Sequence, residues 1–477
     1  MGTREGKRGL SPVRLTVQEI VEATGGKLLA GDPGRVIAGV STDSRTVRGG
    51  ELFVPLRGPR TDGHRFIADA LRRGAVATLT AQGVLEGIPN GSAVIAVEDP
   101  LRALGAIARA HRERLSPGLT VVGVTGSVGK TTTVKMAKEV LGVRFRVSST
   151  REEWNAEIGV PLALLGLEEG TEVAVLEMAM RGLGQIRELV EIARPEIGVV
   201  TNVGESHLGL LGSRENIARA KGELLEGLPP DGVAILNGDD AFTPFLRTLH
   251  RGEVITFGLS QEAMVRASEV ATVGERTAFV LHTMQGSVPV EIHALGVHNV
   301  FNALAAAAVG ITLGLTLEEV REGLRRFSPA KMRLVPVLLA PGVMLLDDTY
   351  NASPASMRAA LAVLEDVGKG RRKVAVLGEM LELGERAEEF HQEIGREASL
   401  RGVEVLITVG ELGRQIAAGA QAAGGGRVRP VQTWEEALSA LLEEIRPLDV
   451  ILVKASRAVG LERVVEGLQR ELGESKG

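Results

Sequence analysis

Short apolar runs separated by longer amphipathic stretches repeat along most of this chain, and the period of each stretch predicts its element. Between residues 119 and 328, runs that are apolar at nearly every position fall at 121–125, 172–176, 197–202 and 233–236. Strands without polar alternation are buried on both faces, so these four predict a parallel sheet covered by helices. Residues 253–257, 277–282 and 287–292 alternate apolar and polar positions instead, which predicts antiparallel strands appended to that sheet. An alanine-rich helix at 301–311 closes the unit. A second series, at 343–347, 373–377, 403–409 and 449–453, has helical stretches between its runs and predicts a Rossmann-like sheet starting near Ser328-Pro329. No G-x-G-x-x-G follows its first strand, so nicotinamide binding has no support.

Before residue 98 the runs are shorter, at 36–40, 52–55 and 94–97, with a helical stretch at 64–73, as in a small α/β unit. Residues 98–116 read as one amphipathic helix with Leu101, Leu104, Ile107 and Ala108 on one side. The chain therefore divides into three expected domains, 1–97, 98–328 and 329–477, all α/β. A length of 477 residues agrees, being too much for one hydrophobic core.

Composition narrows the chemistry. A formal charge of -5 and 3% aromatic residues give neither a broad basic face nor a stacking platform, which argues against nucleic acid. The chain has no cysteine, so disulfides, zinc-thiolate sites and cysteine nucleophiles are excluded together. Cytoplasmic placement is expected, and no run is long enough to cross a bilayer. The first nine residues, rich in Arg, Lys and Gly, read as a disordered tail.

The clearest chemical signal is Val124-Thr-Gly-Ser-Val-Gly-Lys-Thr-Thr132, placed between a strand and a helix. Gly126 and Gly129 let backbone N–H groups approach phosphate oxygens, Lys130 brings positive charge, and Thr131 offers a hydroxyl to Mg2+. The following helix adds its positive N-terminal end. Val124 replaces the first glycine of the strict eight-residue phosphate-loop pattern, and the shorter T-G-x-x-G-K-T-T remains. Glu177 ends the next strand at the carboxyl edge of the sheet, where ligands of open α/β sheets bind, and could hold Mg2+ beside Thr131. His207 follows a further strand and Lys221 lies within the helical stretch 215–225. Taken singly, the first is as readily a structural hydrogen-bond former and the second a surface charge.

Taken together with Asn155-Ala-Glu-Ile-Gly-Val-Pro161, their order resembles the Mur ligases, which build the peptide of the bacterial cell wall. The likeness runs from Thr42 to Arg457. It implies that Lys221 is carbamylated by CO2, turning a cation into an oxygen ligand, and that a second Mg2+ lies between His207 and that carbamate. It implies that ATP occupies Gly126, Ser127, Val128, Gly129, Lys130, Thr131 and Thr132. Asn299 and Asn302 would then lie near adenine, Arg333 near the phosphates, and Asp347 or Asp348 near the ribose.

In the first domain, Thr42-Asp-Ser-Arg45, Gly50–Gly58 and Asp62-Gly-His64 resemble the family's UDP-binding segments, with Ser44 and Arg45 as contacts and His64 beside them. In the last, Asn351 within Asp347–Pro354, the run Leu377–Gly384, and Lys454, Ser456 and Arg457 would shape the pocket for an incoming D-alanyl-D-alanine, joined to a UDP-MurNAc-tripeptide. A monomer is expected. The family usually has Asn at 156 and Gly at 179 and 455, where this chain has alanine; substrate contact at the first is assigned to Asn155 alone. A sister ligase adding the third residue usually carries Asp-Asn-Pro-Arg in its last domain, absent here, and folylpolyglutamate synthase lacks a UDP-binding domain. A phosphate-loop ATPase driving a conformational switch is the rival from another class.

Overall fold

The structure, a computed structural model, describes residues 14–59, 61–81, 87–151 and 154–473; the basic start at 1–9 lies outside the described residues. Three sheets carry the fold, in agreement with the expected α/β class. In the N-terminal unit a five-stranded sheet runs in the order Lys27–Ala30, Ala93–Ala96, Ala77–Thr80, Glu51–Phe53, Gly39–Ser41, parallel except for the first strand. The expected strand at 36–40 is two strands. Val36–Ile37 pairs with Leu15–Thr16, and only Gly39–Ser41 joins the main sheet.

Nine strands form the central sheet, in the order Gly286–Ile292, Arg276–Thr283, Val265–Val273, Glu253–Gly258, Val233–Asn237, Ile197–Val200, Thr120–Thr125, Val173–Glu177, Val147–Ser149. Antiparallel pairing was expected for the first alternating run, but Glu253–Gly258 lies parallel to Val233–Asn237. The helix Thr243–Arg247 carries the chain back across the sheet between them, as a parallel connection requires. Val265–Val273, which the pattern did not announce, then turns the order antiparallel. Register fixes the chemistry: Glu177 lies opposite Val124 and Val200 opposite Thr125, so three strands end beside the loop that starts at Gly126.

The C-terminal sheet has six strands in the order Val335–Leu339, Val343–Asp347, Val450–Lys454, Lys373–Gly378, Val405–Val409, Arg427–Val431, parallel but for the first. Both edge strands escaped the sequence pattern. Arg427–Val431 carries two arginines and a proline, residues suited to an unpaired edge.

The helix Pro100–Leu115 begins with Asp99 accepting from the Leu101 N–H and with proline in its first turn. Its apolar face buries Ala103, Leu104, Ile107 and Ala108 in a core shared by Leu52 and Ile95 on one side and Leu164 and Leu189 on the other. Each fully buried Leu or Ile there contributes about 1.5–3 kcal/mol. The helix thus belongs to the cores of both units it joins.

Candidate active site

The phosphate loop is shaped by neighbours that leave no room for side chains at its glycines. Gly126 has φ +149, and a Cβ there would stand 1.8 Å from Thr201 Oγ1; at Gly129, φ +86, it would meet Asn302 Oδ1 at 2.3 Å. Polar side chains after the strand Ile197–Val200 hold the loop from outside. Asn202 accepts from the Val128 N–H and donates to the Val128 carbonyl, both at 3.0 Å, and Thr201 donates to that same carbonyl at 2.7 Å. Gly204 N–H donates to Ser127 Oγ at 2.8 Å. Sequence reasoning missed Thr201 and Asn202; the signal was there, a polar pair directly after an apolar strand.

From this loop the helix Lys130–Leu141 starts, exposing its first N–H groups and its positive end to the site. Lys130 folds back so that Nζ donates to the Gly126 carbonyl at 2.9 Å. Burial lowers its pKa, the Glu177 carboxylate opposes that, and the Arg333 guanidinium adds to it. Thr131 donates to Glu177 Oε2 at 2.7 Å and accepts from Arg333 at 3.0 Å. Asn155 donates to the other Glu177 oxygen at 2.9 Å, so its amide is turned into this cluster. Arg333 also lies 3.9 Å over the ring of Tyr350, a cation–π contact that sets the guanidinium's plane. Thr132, next along the helix, is half-buried.

Lys221 is the chemically unusual member. It sits in the helix Arg214–Glu226, only 2% exposed, among Ala218, Leu224 and Leu225. Burial pushes its pKa well below the ordinary lysine value, and the positive charge of Lys130 pushes it further down. Both effects favour the uncharged amine over the ammonium. His207 is lowered in turn by burial first, against the pull of Glu382, with Lys130 and Lys221 lowering it further. Lys130, Lys221 and His207 thus lie within electrostatic reach of one another. Among the described residues, no group of three or more His, Asp or Glu is placed to hold a metal ion. The oxygen pair of Thr131 and Glu177 suits Mg2+; His207 with Lys221 suits it only if the amine becomes an oxygen donor.

Around this centre the remaining candidates fall into two groups. Asn302 donates to Asn299 Oδ1 at 3.0 Å and accepts from Thr133 at 3.2 Å, behind the phosphate loop. Asn299 donates to the Leu295 carbonyl at 2.8 Å; with Gly296 as the N-cap of the helix Val297–Thr312, neither asparagine caps it. Lys454, buried, pairs with Asp348 at 2.7 Å and donates to the Asn351 carbonyl at 2.7 Å. Burial raises the pKa of Asp347, whose carboxylate accepts from Thr349 at 2.7 Å. Ser456 accepts from the Leu381 N–H at 2.9 Å, and Arg457 is exposed, 3.5 Å from Glu462.

In the N-terminal unit, Ser44 is buried and Arg45 is exposed, paired with Asp43 at 2.7 Å. Both ring nitrogens of His64 are used locally, Nδ1 with Asp62 at 2.7 Å and Nε2 accepting from the Ala81 N–H at 3.1 Å. Ala179 and Ala455 both avoid the left-handed backbone region, so neither replacement of glycine is strained.

Residues 36–112 match the catalytic domain of the Mur ligase family, 124–310 the Mur ligase middle domain and 332–457 the Mur ligase glutamate ligase domain. The chain belongs to the Mur ligase family. A Mur ligase of Bacillus subtilis, UDP-N-acetylmuramoyl-tripeptide--D-alanyl-D-alanine ligase, is 40% identical over 458 residues, which is 96% of this chain and 98% of that one. The crystal structure of MurF from Acinetobacter baumannii superposes with a TM-score of 0.89 at 33% identity, over 97% of this chain and all of that one. The MurF ligase of Thermotoga maritima in complex with ADP has a TM-score of 0.81 at 31% identity, over 91% of this chain and 97% of its own.

Proposed function

We propose that this chain is an ATP-dependent amide ligase that joins D-alanyl-D-alanine to UDP-MurNAc-tripeptide, giving the pentapeptide precursor of peptidoglycan in the cytoplasm. Full-length relatives with that printed activity support the substrates, and a relative solved with ADP supports the nucleotide. One observation in the chain itself carries the chemistry: a deeply buried lysine, Lys221, whose pKa burial pushes well below the ordinary lysine value, beside a phosphate loop where Thr131 bonds Glu177 and Arg333 and Lys130 lies within their electrostatic reach. A conformational ATPase has no use for such an amine.

The reaction proceeds in two displacements. The tripeptide's terminal carboxylate oxygen forms a bond to the γ-phosphorus as the bond to the β-bridging oxygen breaks, releasing ADP and leaving an acyl phosphate. The amine of D-alanyl-D-alanine then bonds to the acyl carbon, phosphate departs with the electron pair, and the nitrogen loses a proton. Lys130 and Arg333 place fixed positive charge where the transferring group spreads its negative charge. The loop N–H groups and the N-terminus of the helix Lys130–Leu141 orient the phosphates. Thr131 and Glu177 would hold one Mg2+ and His207 with carbamylated Lys221 a second, and bound Mg2+ neutralises phosphate charge beside the attacking carboxylate. By the family resemblance, Asn299, Asn302 and Asp347 or Asp348 face the nucleoside, Ser44 and Arg45 the UDP group, and Asn351, Lys454, Ser456 and Arg457 the dipeptide.

With ATP, Mg2+, UDP-MurNAc-tripeptide and D-alanyl-D-alanine supplied together, mass spectrometry should show the pentapeptide and one ADP for each. ADP formed at the same rate without the dipeptide would favour the ATPase instead. Glu177→Gln removes one negative charge from the Thr131 cluster and should raise the Mg2+ concentration needed for half-maximal turnover by about tenfold. A Mg2+ titration that does not move would remove that role from Glu177.

A further inference from the structure

Glu382 belongs to the C-terminal unit, yet its strongest contacts are with the central one. Its carboxylate accepts from His207 Nδ1 at 2.6 Å and lies 3.6 Å from Arg181, while its carbonyl accepts from the Gly209 N–H at 3.0 Å. Glu382 and His207 both have left-handed backbone, with φ 63 and φ 64, a conformation that costs non-glycine residues of order 1–3 kcal/mol unless the surroundings compensate. Next to them Gly384 and Gly209 touch backbone to backbone; a Cβ on Gly384 would stand 2.8 Å from Gly209 Cα. Two loops from different units are thus fitted to each other, and no step of the proposed chemistry has used Glu382.

We infer that Glu382 is a positioning residue: closure of the C-terminal unit brings its carboxylate onto His207, and this contact fixes which ring nitrogen the catalytic centre receives. A carboxylate on Nδ1–H puts the proton there and leaves Nε2 as the acceptor. Nε2 has no protein partner among the described residues. When the unit swings away, His207 loses that partner, so the centre is complete only when the dipeptide-binding unit has arrived. The inference rests on the proposed ligase reading for its kinetic consequence, and on geometry alone for its conformational one.

Glu382 is 37% exposed in its side chain, so its replacement leaves the core intact, which a melting curve will verify. Glu382→Ala should lower kcat by about 10- to 100-fold with KM for the UDP substrate unchanged. Glu382→Gln, whose amide oxygen can still accept from Nδ1–H, should recover most of that loss. The conformational arm uses the absence of natural cysteine. Spin labels on Met284→Cys and Leu400→Cys, at 89% and 76% exposed positions of the central and C-terminal units, report the distance between the units with ADP and Mg2+ added. Glu382→Ala should at least halve the short-distance population. An unchanged kcat, a Gln variant no better than Ala, or an unchanged distance distribution would each overturn the inference. Failure of the parent protein to make pentapeptide would instead strike the ligase reading and leave the distance measurement standing.

Discussion

Lys221→Ala is expected to lower ligase turnover by about 10²–10³-fold, comparable to removing one preorganised charge-stabilising group from an active site. The reason is the combination of burial and company. In the parent, burial and the Lys130 charge favour the neutral amine, which is the form that attacks CO2; a bond forms from nitrogen to carbon, a proton leaves, and a negative oxygen pair results. Alanine leaves a space of that shape. Acetate or propionate added at high concentration should therefore restore part of the activity, and should do nothing for the parent. Lys221→Arg should be inactive and beyond rescue, because guanidinium stays protonated and fills the space. Labelled bicarbonate gives an independent reading: a carbamate carbon resonance in the parent that is missing from both variants. A parent without that resonance, or an alanine variant that no carboxylate rescues while folded, would end the carbamate assignment.

Lys130→Ala should cost a similar factor, about 10²–10³ in kcat, for two reasons that add. It removes the fixed positive charge from the transferring phosphate. It also removes the charge that holds down the pKa of Lys221. The sign is definite: without Lys130 the Lys221 ammonium is less disfavoured, its pKa rises, and less neutral amine is present at a given pH. The labelled carbamate signal should consequently weaken in Lys130→Ala and recover as pH is raised, while kcat recovers only in part. A signal of parental strength at neutral pH would show that the two lysines are independent.

The parts of the site written in the sequence are those whose partners are close along the chain or fixed by strand order. Gly126 to Thr132 is a contiguous motif, and Glu177 is found by its place at the end of a strand adjacent to the loop's own strand. Lys221 could be placed on a helix but not inside the protein, because its burial comes from tertiary packing around Ala218 and Leu224. Glu382 and Tyr350 act on residues 175 and 17 positions away, and no local period records either contact. The strand Val265–Val273 escaped for a different reason. Its pairing shifts register between Ser268 and Ala271, with Glu269 at φ 54, so the alternation that marks a strand is broken at its middle. Likewise 253–257 alternates as an antiparallel strand would, and only the short helix before it decides its direction.

The shared burial of Pro100–Leu115 makes the first two units a single packed body. Prising the first from the second would bare Leu104 and Ile107 to water; the third meets the second through polar contacts at Glu382, Arg333 and Asp366 and through Leu295 and Leu208, which pack on its own core. A fragment cut at residue 97 would strip that helix of half its core and leave Leu104 and Ile107 facing solvent.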